Sequence, residues 1–512
     1  MVVMSLRSWI ILAGLTTSGA CGSVKGPMTG DDGPPVDTTP PTLVSSTPAD
    51  GATKVSVITK LTFVFSEDLD PSTVTSAAFK LVQNHYTGLT TPSLSMHVAT
   101  SYDAATHTVT VTPDRPMSYD GCSTDAAPDY NAATGCGGYV LDYGMGVKDA
   151  AGNAFAPGTL RFRTVINSMS KRTYYNSSTG AVSAAYNHAL DAAGHVVKQF
   201  YESAGADQIF GNADDSYSSV QQWFYGADNQ VTQQRGFAAG PDGKLNTNDD
   251  VISYLYTYTY DASGREIERT YISAPGPDAQ WGTADDIIGN YMAIAYDASG
   301  MPTKETYYNS AGTDTVWHTA DDRVSSWIVA TNTGRNRTAW QYYEPGPDLL
   351  PMTSDDIEYE RQEFTYDANG NATSLKDFYD KGPDMMWNTA DDLQDEFISY
   401  TLDARGNSTA MKYTYGPGTD MIWGTPDDPI NGYGANAFDV NECLSSVSNF
   451  NTAGADMTWG TADDVLGSHV DSTYSATGNR TGVQYLNGVG PDNVWRTGDD
   501  RVAYKYDYDQ NN

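Results

Sequence analysis

Gly276-Pro277-Asp278-Ala279-Gln280-Trp281-Gly282-Thr283-Ala284-Asp285-Asp286 is one of nine copies of a single pattern that runs from Gly205 to Asp500. In every copy a glycine stands two residues before a first aspartate, and an Asp-Asp pair follows seven and eight residues after it. The triads are Asp207, Asp214 and Asp215; Asp242, Asp249 and Asp250; Asp278, Asp285 and Asp286; Asp314, Asp321 and Asp322; Asp348, Asp355 and Asp356; Asp384, Asp391 and Asp392; Asp420, Asp427 and Asp428; Asp456, Asp463 and Asp464; and Asp492, Asp499 and Asp500. Successive first aspartates lie 34 to 36 residues apart. A fixed period of that length marks an array of one supersecondary unit. What one unit makes therefore decides the fold of residues 169–512.

Between acidic segments the chain is strand-like. VISYLYTYTY (251–260) is followed by DASG (261–264) and REIERTYIS (265–273); Tyr, Thr and Ile around an Asp-to-Gly turn predict a β-hairpin. Eighteen residues after the first aspartate stand Tyr225, Tyr260, Tyr296, Tyr366, Leu402, Phe438 and Tyr474, with Asn332 of the shortened fourth copy out of register. Thirty residues after it stand Phe237, Ile272, Tyr308, Phe378, Phe450 and Leu486. One hairpin is too small to bury a face by itself, so these columns predict a core stacked from repeat to repeat. The tryptophans three residues after the first aspartate (Trp281, Trp317, Trp387, Trp423, Trp459, Trp495) are expected to cover the next repeat; a ladder for sugar rings is the alternative.

Tyr258-Thr259-Tyr260-Asp261-Ala262-Ser263-Gly264-Arg265 and Tyr366-Asp367-Ala368-Asn369-Gly370-Asn371 resemble the YD repeats of rearrangement-hotspot (RHS) proteins. The resemblance implies hairpins joined into one long antiparallel sheet that curves or coils, and a scaffold related to toxin-associated proteins. The unit here differs by its acidic loop, and the chain ends at Asn512 without a toxin-like domain, so enclosure of a toxin is not expected.

Residues 40–165 alternate in the strand manner: Leu61, Phe63 and Phe65, then Val109 and Val111, then Leu160 and Phe162. Short strands between Gly, Pro and Asp turns predict a β-sandwich. PPTLVSSTPADGATKVSV (40–57), FSEDLDPSTV (65–74) and VKDAAGNAFAPGTLRFRT (147–164) resemble the bacterial Ig-like domain of S-layer proteins, which implies a spacer or carrier module without catalytic residues. Asp70 and the turn from Asp149 to Asn153 are read as turn chemistry rather than metal ligands. The expected class is thus all-β: an Ig-like sandwich followed by an array of hairpins.

Residues 1–20 read as an export signal, with Arg7 before an apolar run and Ser18-Gly19-Ala20 before Cys21. Small residues before a cysteine resemble the lipobox of bacterial lipoproteins, which implies lipidation at Cys21; cleavage without lipidation is the alternative. Residues 21–39, rich in Pro, Gly and Asp, read as a flexible linker. An exported chain permits a Cys122–Cys136 disulfide, and Cys443, with no histidine near it in the sequence, reads as an inert thiol.

The net charge of −35 comes mostly from the 27 aspartates of the acidic motifs, and it argues against nucleic-acid backbones and anionic membrane surfaces as partners, since both would be repelled. Three carboxylates held close together repel one another on the order of kcal/mol at intermediate dielectric. Their fixed spacing therefore predicts a counterion. Calcium is the expected one, several per chain, because it takes many oxygens in irregular geometry; magnesium wants tighter geometry, and zinc or copper wants His or Cys, which the motif lacks. The competing reading is that Asp and Gly simply make good turns. The seven histidines form no local cluster and no nucleophile elbow or phosphate loop is present, so no catalytic residue is expected. The whole reads as an exported surface or outer-membrane lipoprotein, or a secreted protein, of structural or adhesive role. Its partners would be calcium, a surface glycan or a protein, with the membrane reached only through an anchor.

Overall fold

The structure is a computed structural model that describes residues 37–83, 95–117 and 138–508 apart from scattered turn positions. Cys21, Cys122 and Cys136 lie outside the described residues. The chain divides into a short unit, residues 1–39, and a compact unit, residues 40–512.

The compact unit begins with a sandwich of two sheets. One has the strand order Leu43–Thr47, Leu61–Phe65, Thr108–Pro113, Val98–Asp103; the other has Ala52–Val55, Gly158–Thr164, Gly138–Tyr143, Phe79–Gln83, Ser95–Met96. The expected alternation is met: Leu61, Phe63, Phe65, Val109, Val111, Leu160 and Phe162 are all buried in one core. Each such side chain contributes about 1.5–3 kcal/mol on burial. Asp70 caps a short 3-10 turn through the amide of Ser72, and Asp149 accepts the backbone and side-chain amides of Asn153, so both are occupied as turn residues.

The repeats form twenty antiparallel strands from Met169–Tyr175 to Arg501–Tyr508, and the sheet closes on itself. The expectation of a curved or coiled antiparallel sheet is corrected to a closed barrel. Closure pairs the first strand with the last, with Arg172 opposite Tyr506 and Tyr174 opposite Tyr504. The Arg172 guanidinium lies 4.7 Å from the centre of the Tyr506 ring, and Tyr485 stacks on Tyr504 at 4.7 Å across the neighbouring pair. The physical cause is the repeated irregularity of the ladder. The hairpin pairs slip register beside the short turn, as at Thr259/Tyr260 and Ala295/Tyr296, and the pairs flanking an acidic loop slip again, as at Gly236/Phe237 and Tyr342/Tyr343. A bulge bends its strand and adds twist. Recurring through the array, the bend becomes a constant curvature, and closure removes the two exposed edges.

Because the strands alternate in direction, the short Asp-to-Gly turns gather on one rim and the nine acidic loops on the other. The sandwich meets the short-turn rim at two places. Val82 packs on Met301, both fully buried, and Ser56 Oγ donates to the Thr477 carbonyl at 2.7 Å beside Gly478. These turns are five hairpins apart, half of the twenty strands, so the sandwich lies across that mouth.

The short turns share one set of bonds. Asp261 Oδ1 accepts the Arg265 amide at 2.9 Å while Gly264 sits at φ 78, and the same arrangement recurs at Asp297, Asp367 and Asp403. The tyrosines of the first column lock one hairpin to the preceding one. Their hydroxyls donate to the carbonyls of Val196 (from Tyr225), Val231 (Tyr260), Glu266 (Tyr296), Arg337 (Tyr366) and Leu444 (Tyr474) at 2.5–2.9 Å. Asn332 is not out of register, contrary to the sequence expectation. It pairs with Arg337, and its Nδ2 donates to the Pro302 carbonyl at 3.1 Å, the bond a tyrosine makes elsewhere. One of the two missing residues is taken from the turn, where Thr333 faces Asn336 directly, and the other from the approach to the next acidic loop.

Candidate functional site

In the quoted loop, Asp278 Oδ1 accepts the Gln280 amide at 2.7 Å, an Asx turn that reverses the chain. Asp285 Oδ2 accepts the backbone amide of Asp278 at 3.1 Å, which ties the pair to the first aspartate. Asp286 Oδ2 accepts the amides of Gly282 at 2.7 Å and Thr283 at 3.2 Å. The bond from the first aspartate's amide to the second carboxylate recurs in all nine loops, from Asp207 to Asp492.

The glycine two residues before the first aspartate is required by close approach. In all nine loops, from Gly205 to Gly490, a Cβ there would overlap the backbone carbonyl or the carboxyl of the second aspartate. Only Gly312, Gly382 and Gly454 also sit at positive φ. The glycine thus acts less by turning the chain than by letting two segments touch.

Around the threonine, oxygens outnumber protons. Thr283 Oγ1 lies 2.7 Å from Asp285 Oδ1, 3.2 Å from the Gln280 carbonyl, and 3.4 Å from both Asp278 Oδ1 and Asp286 Oδ1. One hydroxyl has one proton to donate. The same set surrounds Thr425, where Asp420, Asp427 and Asp428 offer carboxylate oxygens all within 4.8 Å of one another. The second aspartate of these loops is held below the ordinary carboxylate range. At Asp249, Asp285, Asp355, Asp391 and Asp499 the threonine hydroxyl contributes most, followed by the amide of the first aspartate. At Asp463 the amide of Asp456 leads. These six loops thus favour the charged form of this carboxylate.

The loops fold back on the sheet through a column that sequence reading missed, thirteen residues after each first aspartate. Its members Val220, Leu255, Tyr291, Trp327, Arg361 and His469 are buried. From Leu255 onward, apolar residues of the second column lie opposite several of them: Ile272 opposite Leu255, Tyr308 opposite Tyr291, Phe378 opposite Arg361 and Leu486 opposite His469. The Tyr291 hydroxyl donates to Asp322 Oδ2 at 2.8 Å, and Arg361 Nη1 reaches Asp392 Oδ2 at 3.4 Å. Trp317 lies 5.8 Å from the Tyr291 ring and Trp459 lies 5.9 Å from the Tyr433 ring. These tryptophans therefore cover the preceding hairpin, where the sequence reading expected the next one. The column's chemistry runs from Val to Arg and His, so no hydrophobic pattern could have exposed it; only its constant offset from the aspartate could. Cys443 is buried at the end of a short turn, and burial pushes its thiol up to about 12, the state of an inert thiol.

Residues 37–124 match the family model of the bacterial Ig-like domain. No curated protein matches the chain. Among solved structures, the crystal structure of TcdB2-TccC3-Cdc42 is similar at 12% identity over 80% of this chain and 19% of that one, with a TM-score of 0.26. The N-terminal part of the bacterial S-layer protein SbsC is similar at 16% identity over 41% and 43%, with a TM-score of 0.17. A porin-like protein from Bacteroides uniformis is similar at 11% identity over 52% and 93%, with a TM-score of 0.23. The chain spans about a fifth of the length of the TcdB2-TccC3 structures, and superpositions this loose carry no argument about its function.

Proposed function

We propose that this is an exported cell-surface protein of structural or adhesive role, not an enzyme, whose acidic loops bind calcium and so rigidify one rim of the barrel. The oxygen cluster around the loop threonine carries the reading. Calcium takes six to eight oxygens, carboxylate, carbonyl and hydroxyl alike. In the quoted loop Asp278, Asp285, Asp286, Thr283 and the Gln280 carbonyl would hold it; the other eight loops supply their own aspartates, with Asn212 in place of threonine in the first. A bound divalent ion relieves repulsion among three carboxylates and ties both ends of the loop to its middle. Binding only to the folded loop stabilises it by mass action. Export fits this chemistry, since calcium outside the cell is abundant. The Ig-like module and the lipobox-like segment at Cys21 support a surface location, and the YD-like turns support kinship with RHS scaffolds.

Titration calorimetry of the full chain, with thermal melts on the same samples, tests the proposal. Several equivalents of calcium should bind, and the melting temperature should fall when chelator is added. No heat and equal melts would overturn it. The pH dependence has a fixed sign. A second aspartate with lowered folded pKa contributes stability that is present above about pH 4 and is lost as pH falls further through the folded value. Calcium affinity should therefore hold from neutral pH down to about 4 and collapse below it.

A second reading is favoured by the tyrosine ladder at the barrel seam. Tyr485, Tyr504, Tyr174, Tyr186 and Tyr201 run in ring contact across neighbouring strands and are only partly buried. In this reading such aromatic columns bind a glycan or a protein. Loss of cell or glycan binding on substitution of Tyr186 and Tyr485, with the fold retained, would favour it.

A further inference from the structure

Fifteen of the twenty-one large apolar side chains that stand exposed among the described residues lie in the acidic loops or on the first residue after them. Six consecutive loops each carry one near the tip: Val316, Leu350, Met386, Ile422, Met457 and Val494, from 54% exposed at Val494 to 84% at Met457. Strands of a sheet lie about 4.8 Å apart and these loops join every second pair, so neighbouring tips stand roughly 10 Å apart along one arc of the rim. The second and third loops, with Lys244 and Gln280 at the tip position, leave the arc open.

In three of these six loops the backbone also holds an exposed apolar side chain at a cost. The residue after the first aspartate takes a left-handed conformation: Leu349 at φ 57, Met421 at φ 60 and Met457 at φ 56. The second loop places Gly243 there at φ 72, free of the steric penalty a side chain meets. Leu349 at 61%, Met421 at 76% and Met457 at 84% exposure stand mostly in solvent. An apolar side chain that is both strained and solvated points to a contact made outside the chain.

Chemistry selects the partner. Carboxylates lie between the tips, and a protein surface seated on the arc would bury them at a large desolvation cost. A fluid bilayer admits separate apolar points and leaves the loops in the wet headgroup layer. The loop also supplies fewer oxygens than calcium takes, which leaves places for a phosphate oxygen. We propose that this arc docks on a phospholipid surface when calcium fills the loops: the tips enter the boundary between headgroups and acyl chains, and headgroup phosphates complete the calcium shell. The inference rests on the calcium reading above. Without calcium the aspartates repel anionic headgroups, so docking is gated by the ion.

The test is co-sedimentation of the full chain, carrying Cys21→Ser to prevent acylation, with vesicles of equimolar phosphatidylethanolamine and phosphatidylglycerol. The protein should pellet with millimolar calcium and be released by chelator. The variant Leu349→Ser, Met421→Ser, Met457→Ser should lose at least ~10-fold in vesicle affinity while calcium calorimetry stays unchanged. Equal pelleting of variant and parent overturns the proposal. So does a calcium-loaded parent that does not pellet, and a calcium-dependent dimer seen by light scattering without pelleting would assign the arc to a second copy. Absence of any calcium heat would sink both this inference and the function above, whereas calcium heat without pelleting would sink this inference alone.

Discussion

At the scale of single residues, the acidic loop is fixed by sterics as much as by charge. The close approach of Gly346 to Asp355 leaves no room for a Cβ, and the neighbouring atom is backbone, which cannot swing away. Gly346→Ala should therefore lower stability by about 1–3 kcal/mol, the usual range for forcing an extra carbon into a packed place. Chemical denaturation of the variant checks this. A value near zero would mean that the loop opens freely and is not held as described. The three aspartates are not equivalent: the first makes the turn, the second holds the first aspartate's amide, and the third caps two amides and, at Asp322 and Asp392, reaches a side chain on the sheet. The sequence exposed their spacing but not this division, since all three are the same residue type.

At the scale of the element, the hairpin is held to its neighbour by the tyrosine hydroxyl. The bond from Tyr296 to the Glu266 carbonyl spans 30 residues and joins one repeat to the one before. Tyr296→Phe keeps the ring against Arg265 and removes only that bond, so it should cost about 1 kcal/mol. Urea unfolding would show it, and an unchanged midpoint would reduce the tyrosine column to ring packing. The hairpin itself was legible in the sequence, because a two-residue alternation broken by Asp-x-x-Gly has few other outcomes. The role of Asn332 was not. An amide that replaces a phenol at a shared carbonyl is visible only when both bonds are placed in space.

At the scale of the whole molecule, closure removes the edges that an open array would present. Truncation after Gly488 deletes the last acidic loop and the strand Arg501–Tyr508, leaving Met169–Tyr175 and Arg480–Gly488 with unpaired sides. Such a chain should associate through these edges, so light scattering should report oligomers where the full chain gives one species. A monomeric truncated chain would show that the seam is dispensable. The amino-acid sequence by itself determined the local outcome: the strands, the Asp-to-Gly turns, the acidic loops and the sandwich core, because spacing, alternation and turn chemistry act over a few residues. Only the tertiary structure decided that the sheet closes, that all the acidic loops share one rim with the exposed apolar tips, and that the sandwich lies across the other. Those results depend on small bends added over twenty strands, a sum that no single repeat contains.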